Sequence, residues 1–339
     1  MPAADIHQLR VAEVIRETHD AYSLIFDVPP GFAYQPGQFL TLRIPHGAGT
    51  LARCYSLASS PHDGGAPKVT VKRVADGRAS NWICDNVMAG SIMDILPPSG
   101  VFTPRSFDGD LLLFAGGSGI TPVISIGKSA LSQGTGQVML VYANRDERSV
   151  IFRDELNALA QAHPERLVVI HWLESVQGLP TTRQLQRLAA PFTGRAAFVC
   201  GPGPFMRAVE EALGELGVPR ERIHVERFIS LSGDPFTATS TDTAEVADDC
   251  VSVEVELDGD THTYPWPRST PLLDLLLAKG LDAPYSCREG ACSACACRVT
   301  DGEVKMLRNE VLEESDLAEG YVLACQAVPL SETVKVSYS

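Results

Sequence analysis

Leu111-Leu112-Leu113-Phe114-Ala115-Gly116-Gly117-Ser118-Gly119-Ile120-Thr121-Pro122 decides the fold at the centre of this 339-residue chain. Four large apolar residues in succession read as a strand buried on both faces, as in a parallel sheet. Three glycines follow, and Thr121-Pro122 opens a helix. Glycines let backbone approach a pyrophosphate, and a helix N-terminus adds N–H groups with a partial positive charge. By itself the turn also fits a plain tight turn.

Downstream, apolar runs at 138–142, 167–171 and 197–200 alternate with helical patterns at 154–162, 182–188 and 204–216. Alternating buried strands and helices predict a doubly wound parallel sheet over 107–230. A second turn of the same kind, Cys200-Gly201-Pro202-Gly203-Pro204, ends the run at 197–200 and starts a helix. Upstream the period changes. Short strands at 9–18, 22–28, 38–44, 54–58, 69–74 and 91–96, with one helix near 80–88, predict an antiparallel barrel or sandwich over 1–106.

After the sheet, residues 231–249 are small, polar and acidic, the composition of a linker. A third unit over 250–339 opens with a strand at 251–257, an Asp258-Gly259 hairpin turn and a strand at 261–266. Ser269-Thr270-Pro271 offers capping hydroxyls for a helix that Gly280 closes. Charge marks this unit off: of the formal net charge of −14, residues 242–339 carry −12, with 19 acidic and 7 basic side chains. A chain this acidic is unsuited to nucleic acid or anionic membranes. Met1 to Asp20 has no apolar core of a signal peptide, and no apolar run reaches the roughly 18–20 residues of a membrane span. The expectation is a cytoplasmic protein, where disulfides are rare.

Nine cysteines then need another use. Cys287, Cys292 and Cys295 are spaced C-x4-C-x2-C, and Cys325 follows after 29 residues, the spacing of plant-type 2Fe–2S proteins. Four thiolates hold two bridged irons, and the small Gly290, Ala291, Ser293 and Ala294 let the loop close. A structural zinc, the alternative, usually shows paired C-x2-C knuckles. Cys297, Cys54, Cys84 and Cys250 fall outside the spacing and read as small buried residues.

Arg53-Cys54-Tyr55-Ser56 puts a cation and an aromatic on one strand face, able to hold a phosphate and stack on a flat ring. Gly77-Arg78-Ala79-Ser80-Asn81 enters a helix with Ser80 as its expected cap, an anion site suited to a second phosphate. Arg53, Tyr55 and Ser56 match the R-x-Y-S motif of the ferredoxin–NADP reductase superfamily, and Gly77 and Ser80 its G-x-x-S element. The chain resembles that superfamily over nearly its whole length.

The resemblance implies an FAD-binding barrel, an NAD(P)-binding α/β domain and a β-grasp ferredoxin domain. It implies FAD rather than FMN, although FMN-dependent dioxygenase reductases share much of the motif set. In the family the Arg binds flavin phosphate, the Tyr stacks on the isoalloxazine and the Ser approaches N5, roles that pass to Arg53, Tyr55 and Ser56. Further cofactor contacts are implied for Leu57, Lys72, Val74, Ala79 and Asn81. Gly116, Gly117, Gly119, Thr121, Pro122, Gly201 and Pro202 would cradle the dinucleotide, with Cys200 near the hydride-carrying carbon. Glu226-Arg227-Phe228 matches the end of the nucleotide domain, where an aromatic covers the flavin; core packing is the other reading of Phe228. Arg145 and Arg148 suit a 2′-phosphate while Asp146 and Glu147 repel one, a balance that leans to NADH over NADPH.

None of the eight histidines makes a C-x-H with C-x2-H pair, so no Rieske centre is expected. No two are close enough to suggest the local part of a 2-His-1-carboxylate iron site, so oxygen chemistry is expected on another protein. The order of modules resembles reductase components of multicomponent oxygenases, the 3-ketosteroid 9α-hydroxylase and phenylacetyl-CoA epoxidase types most of all. That implies electrons from NAD(P)H through FAD and a 2Fe–2S cluster, singly, to a Rieske-type or diiron oxygenase. A reductase for another soluble acceptor and a flavin/iron–sulfur redox sensor are the rival readings. A sensor needs an output domain or a degenerate hydride site, and both dinucleotide loops are intact here.

Overall fold

The structure, a computed structural model, describes residues 6–47, 49–231, 233–236, 249–312 and 314–338. The chain divides into two compact units: Met1–His7, Gly47–Arg53 and Ile229–Ser339 form one, and Gln8–His46 with Cys54–Phe228 the other.

The first hundred residues supply β1 (His7–Arg16), β2 (Ala21–Asp27), β3 (Phe39–His46), β4 (Gly49–Ser56), β5 (Lys68–Lys72), α1 (Arg78–Asn86) and β6 (Ile92–Ser99). Their sheet order is β4-β3-β6-β1-β2-β5, and β1–β2, β2–β5 and β3–β6 pair antiparallel. The two edges meet: Leu57, just past β4, bridges Val69 of β5, and Ala58 N–H donates to the Lys68 carbonyl at 2.7 Å. That contact brings the two ends of the sheet together and curls it into a half-barrel. Leu24, Phe26, Leu40, Leu42, Ile44, Val69 and Val71 fill it. β4 starts five residues before the strand expected at 54–58.

Then follow β7 (Leu111–Gly116), α2 (Ile120–Gln133), β8 (Val138–Asn144), α3 (Arg153–Ala162), β9 (Leu167–Leu173), α4 (Glu174–Gln177), α5 (Thr182–Ala189), β10 (Ala196–Cys200), α6 (Gly203–Glu215) and β11 (Ile223–Glu226). The five strands pair in parallel in the order β11-β10-β7-β8-β9. Leu111, Leu113 and Ala115 pack in one core with α2 and α3, while Leu112 and Phe114 pack in another with α5 and α6. Helices on both faces explain why β7 is apolar at every position. The strand order reverses between β7 and β10, so the crevice beyond their C-terminal ends is where such sheets bind ligands.

The last unit contains β12 (Cys250–Leu257), β13 (Asp260–Pro267), α7 (Leu272–Ala278), β14 (Ala296–Asp301), β15 (Val304–Met306), α8 (Glu314–Ala318), β16 (Tyr321–Leu323), β17 (Ala327–Pro329) and β18 (Thr333–Ser337). Its sheet runs β13-β12-β18-β14-β16, with β12 and β18 parallel and the other pairs antiparallel. α7 lays Leu272, Leu273, Leu275 and Leu276 on a core with Trp266, Val253 and Val255. Asp258 and Gly259 have φ of 55° and 86°, the two left-handed positions a tight hairpin needs.

Three local expectations are corrected. The hydroxyls of Ser269 and Thr270 do not cap α7; Pro271 stands at its N-cap with no side-chain bond. Ser80 does not cap α1 either, which begins at Gly77. Cys250 is exposed and Cys54 and Cys84 are half-buried, whereas Cys297 is buried as expected. Of the expected linker, Ser232 and 237–248 lie outside the described residues, and Leu231 and Phe236 are packed rather than solvated. Among the described residues no helix is long and apolar enough to cross a membrane.

Candidate functional site

Arg53, Tyr55 and Ser56 are on β4 with Leu57 just beyond it, and Ser56 and Leu57 are buried. The Arg53 guanidinium donates to the carbonyls of Ala52 (2.6 Å) and Leu231 (2.7 Å), which fixes its direction while keeping its charge. Ahead of α1 the chain knots on itself. Ser80 Oγ accepts the Val74 N–H at 3.2 Å, and the Val74 carbonyl accepts from Gly77 N–H (2.9 Å) and Asn81 Nδ2 (3.2 Å). A Cβ on Gly77 would lie 2.6 Å from Ser80 Oγ, so only glycine fits. With Ser80 serving Val74, no side chain caps the amides that open α1 and no acid stands in its first turn. Uncapped amides at a helix start suit an anion. Ala79 is buried there and Val74 is exposed.

The two glycine loops touch backbone to backbone. A Cβ on Gly119 would sit 2.1 Å from the Cys200 carbonyl oxygen, one on Gly201 2.9 Å from Gly116 N, and one on Gly116 2.7 Å from the Pro202 ring. Gly117 has φ +54°, in the left-handed region, and faces open space except for Lys72 Nζ, 3.6 Å from where its Cβ would be. α2 starts at Ile120, one residue before the expected Thr121-Pro122, and Thr121 Oγ1 donates to the Ser118 carbonyl at 3.0 Å. Burial lowers the pKa of Lys72, and the Asp20 carboxylate partly restores it. A cradle of glycines with one ammonium at its lip fits a pyrophosphate.

Cys200 and Glu226 end neighbouring strands in register with each other. Burial pushes the Cys200 thiol up, and burial alone pushes the Glu226 carboxyl up to about 8. A carboxyl raised in this way keeps its proton to higher pH and can then donate a hydrogen bond. Phe228 is 52% exposed, which excludes core packing. His224 stacks on Phe198, ring centroids 4.5 Å apart.

Cys287, Cys292, Cys295 and Cys325 are all buried. Their sulfurs are already hydrogen-bond acceptors. Cys287 Sγ takes the Glu289 (3.4 Å) and Ala291 (3.3 Å) N–H groups, Cys292 Sγ the Cys287 N–H (3.3 Å), and Cys295 Sγ the Cys325 N–H (3.5 Å). Arg288, Gly290 and Ser293 take positive φ to turn those amides inward. Hydrogen bonds from Cys292 and Cys325, then the two amides, hold the Cys287 thiol well below its usual range, while the same network pushes Cys325 up. Among the described residues no group of three His, Cys, Asp or Glu side chains is set around one metal ion. The four buried thiols form one connected network, Cys292 to Cys287 to Cys325 to Cys295, a donor set of four sulfurs that fits a 2Fe–2S cluster.

Sequence reasoning missed three neighbours. Tyr142 OH donates to the Gly117 carbonyl at 3.1 Å and accepts the Ile151 N–H at 3.2 Å, bracing the glycine turn from β8. Gln326 Nε2 donates to Cys325 Sγ at 3.7 Å. Asp20, on the turn between β1 and β2, pairs with Arg145 at 3.0 Å. Tyr142 had a local signal, a hydroxyl in an otherwise apolar strand; the other two had none.

Comparison with known proteins matches each of the three domains to a family. The oxidoreductase FAD-binding domain model matches residues 8–103, the oxidoreductase NAD-binding domain model 113–211, and the 2Fe–2S iron–sulfur cluster binding domain model 255–330. The chain is 57% identical to the 3-ketosteroid-9-alpha-monooxygenase ferredoxin reductase component of Rhodococcus rhodochrous, over 97% of this chain and 96% of that one. The chain belongs to the reductase components of oxygenases. It is 36% identical to a component of the Escherichia coli 1,2-phenylacetyl-CoA epoxidase, over 98% and 97% of the two chains. Phthalate dioxygenase reductase shares the fold, with a TM-score of 0.59 at 23% identity over 98% of each chain. The reductase is thus an oxidoreductase that carries electrons from NAD(P)H through FAD to a 2Fe–2S centre.

Proposed function

We propose that this reductase supplies single electrons to a Rieske-type oxygenase that hydroxylates a 3-ketosteroid at C9. The observation that carries this is the 57% identity, end to end, to a reductase component of that system, against 36% to the epoxidase component. When bound, the flavin turns one hydride into two single electrons, which is the chemistry the protein itself lacks.

The chain's own residues bind and orient. Arg53 and the amides opening α1 hold flavin phosphates, Tyr55 stacks on the ring, and Ser56 offers a hydroxyl beside it. The turn from Gly116 to Pro122, with Lys72, holds the dinucleotide pyrophosphate. Cys200 and Glu226 form the floor for the nicotinamide, and a protonated Glu226 donates a hydrogen bond without adding charge. Phe228 covers the ring system, and the four cysteines hold the irons. The acidic residues of 242–339 steer this module to a basic patch on the oxygenase.

Anaerobic titration with NADH tests the electron path: flavin bleaching followed by loss of cluster absorbance is expected, and an oxidised cluster beside reduced flavin refutes it. Reconstitution tests the partner. The chain should support 9α-hydroxylation of a 3-ketosteroid by a Rieske oxygenase; turnover only with an acyl-CoA oxygenase overturns the steroid assignment.

A further inference from the structure

The glycine turn, α2 and β8 form one βαβ unit, in which a dinucleotide sets its pyrophosphate on the first turn and its adenosine ribose beyond the second strand. Here the second strand ends at Asn144 and runs into Arg145 and Asp146. Arg145 is the residue placed to take a 2′-phosphate, and its backbone is pinned there by the Ser175 N–H at 2.8 Å. Its side chain is 61% exposed but not uncommitted, because Nη2 donates to Asp20 Oδ2 at 3.0 Å. Asp20 comes from the barrel and is only 16% exposed, so it is the better fixed partner. Thr18 Oγ1 donates to its other oxygen at 2.8 Å, and its backbone carbonyl accepts from Arg73 N–H at 2.7 Å.

The surrounding charges cancel. Lys72 lies within electrostatic range of Asp20, Arg145 and Asp146, and His19 Nε2 is 3.8 Å from Asp20. Asp146 is held ionised by the Ser149 side chain and N–H. Among the described residues, the cations Lys72 and Arg145 thus face the carboxylates Asp20 and Asp146, a balance that disfavours a 2′-phosphate, whereas a ribose 2′-hydroxyl asks for no positive charge. Exposed Glu147 and Arg148 balance in the same way.

We propose that Asp20, a barrel residue, sets the choice of dinucleotide by holding Arg145 away from the ribose 2′ position. The site then takes NADH and turns away NADPH. The inference rests on the reading that the β7–β8 crevice holds the dinucleotide.

The test is calorimetric binding of 2′-phospho-AMP and of AMP to the full-length flavoprotein, alongside kcat/KM for NADPH and NADH. Asp20→Asn should raise the 2′-phospho-AMP to AMP affinity ratio and the NADPH to NADH ratio about tenfold, the scale of one new charge-assisted hydrogen bond. Arg145→Met in that background should cancel the gain. An unchanged ratio in Asp20→Asn overturns the proposal. Arg145→Met in the native background keeps the test open if Asp20→Asn misfolds. It should leave 2′-phospho-AMP binding as weak as before, and a large loss means Arg145 is already free to bind phosphate, which also overturns it. Failure of NADH to bleach the flavin in the unsubstituted chain would refute the underlying reading instead.

Discussion

Gly119→Ala tests whether contact between the two glycine loops positions the nicotinamide. Gly119 has an ordinary helical φ of −62°, so alanine brings no backbone strain. The obstacle is space. The added Cβ would lie 2.1 Å from the Cys200 oxygen, 2.4 Å from its carbonyl carbon and 2.7 Å from Gly201 N, all backbone atoms. Ordinary contact begins at 3.4 Å, so the loops must separate by roughly 1 Å or the start of α2 must shift by as much. A misplacement of about 1 Å in a reacting pair costs on the order of 10²-fold in rate, and overpacking costs about 1–3 kcal/mol in stability. Stopped-flow reduction of the flavin by NADH should therefore slow about a hundredfold, with flavin content and cluster spectrum unchanged. Gly127→Ala is the control, on the same helix, where the new methyl meets only Leu113 Cδ1 at 3.4 Å. It should be as active as the unsubstituted chain and slightly more stable. Equal NADH reduction rates in the two variants would refute the argument that this contact sets the geometry.

Cys295→Ser should abolish transfer to a one-electron acceptor while flavin reduction by NADH persists, and equal loss of both in absorbance traces would contradict the carrier order. Glu226→Gln should flatten the pH dependence of thermal stability. With a folded pKa raised from 4.5 to about 8, Glu226 favours the fold below pH 4.5 and loses that contribution as pH climbs through 8. The Gln variant should gain relative stability between those limits, and parallel melting curves would count against a raised carboxyl pKa. Raising salt should slow electron delivery to the oxygenase while NADH oxidation by the flavin changes far less; equal sensitivity of the two rates would remove the steering role of the acidic module.

Much of this was legible because the chemistry is local. The spacing of Cys287, Cys292 and Cys295 is fixed by one loop, and the buried run before Gly116 announces a strand covered on both faces. R-x-Y-S and G-x-x-S each lie within one short segment, so they survive in sequence as words. What failed did so where two local partners compete for one group. Ser80 looks like a cap, yet its hydroxyl is taken by the Val74 N–H. Ser269 and Thr270 precede α7, but Pro271 stands at its N-cap. Phe228 fits a core or a lid by composition, and only its exposure separates them. Asp20 and Arg145 stand 125 residues apart and meet only after barrel and sheet have folded, so no window of sequence shows the pair.

The position of Lys72 and Asp20 has a consequence for how such proteins diversify. Both belong to the barrel, and both address the glycine turn or the strand end of the parallel sheet. If Asp20 governs Arg145 as proposed, recognition of the dinucleotide is divided between the barrel and the parallel sheet. A chimera that grafts the parallel sheet of a relative onto this barrel would inherit half of a charge pattern and leave Asp20 opposite a stranger. A change of dinucleotide would then call for paired substitution at Asp20 and Arg145, one on the barrel and one on the parallel sheet.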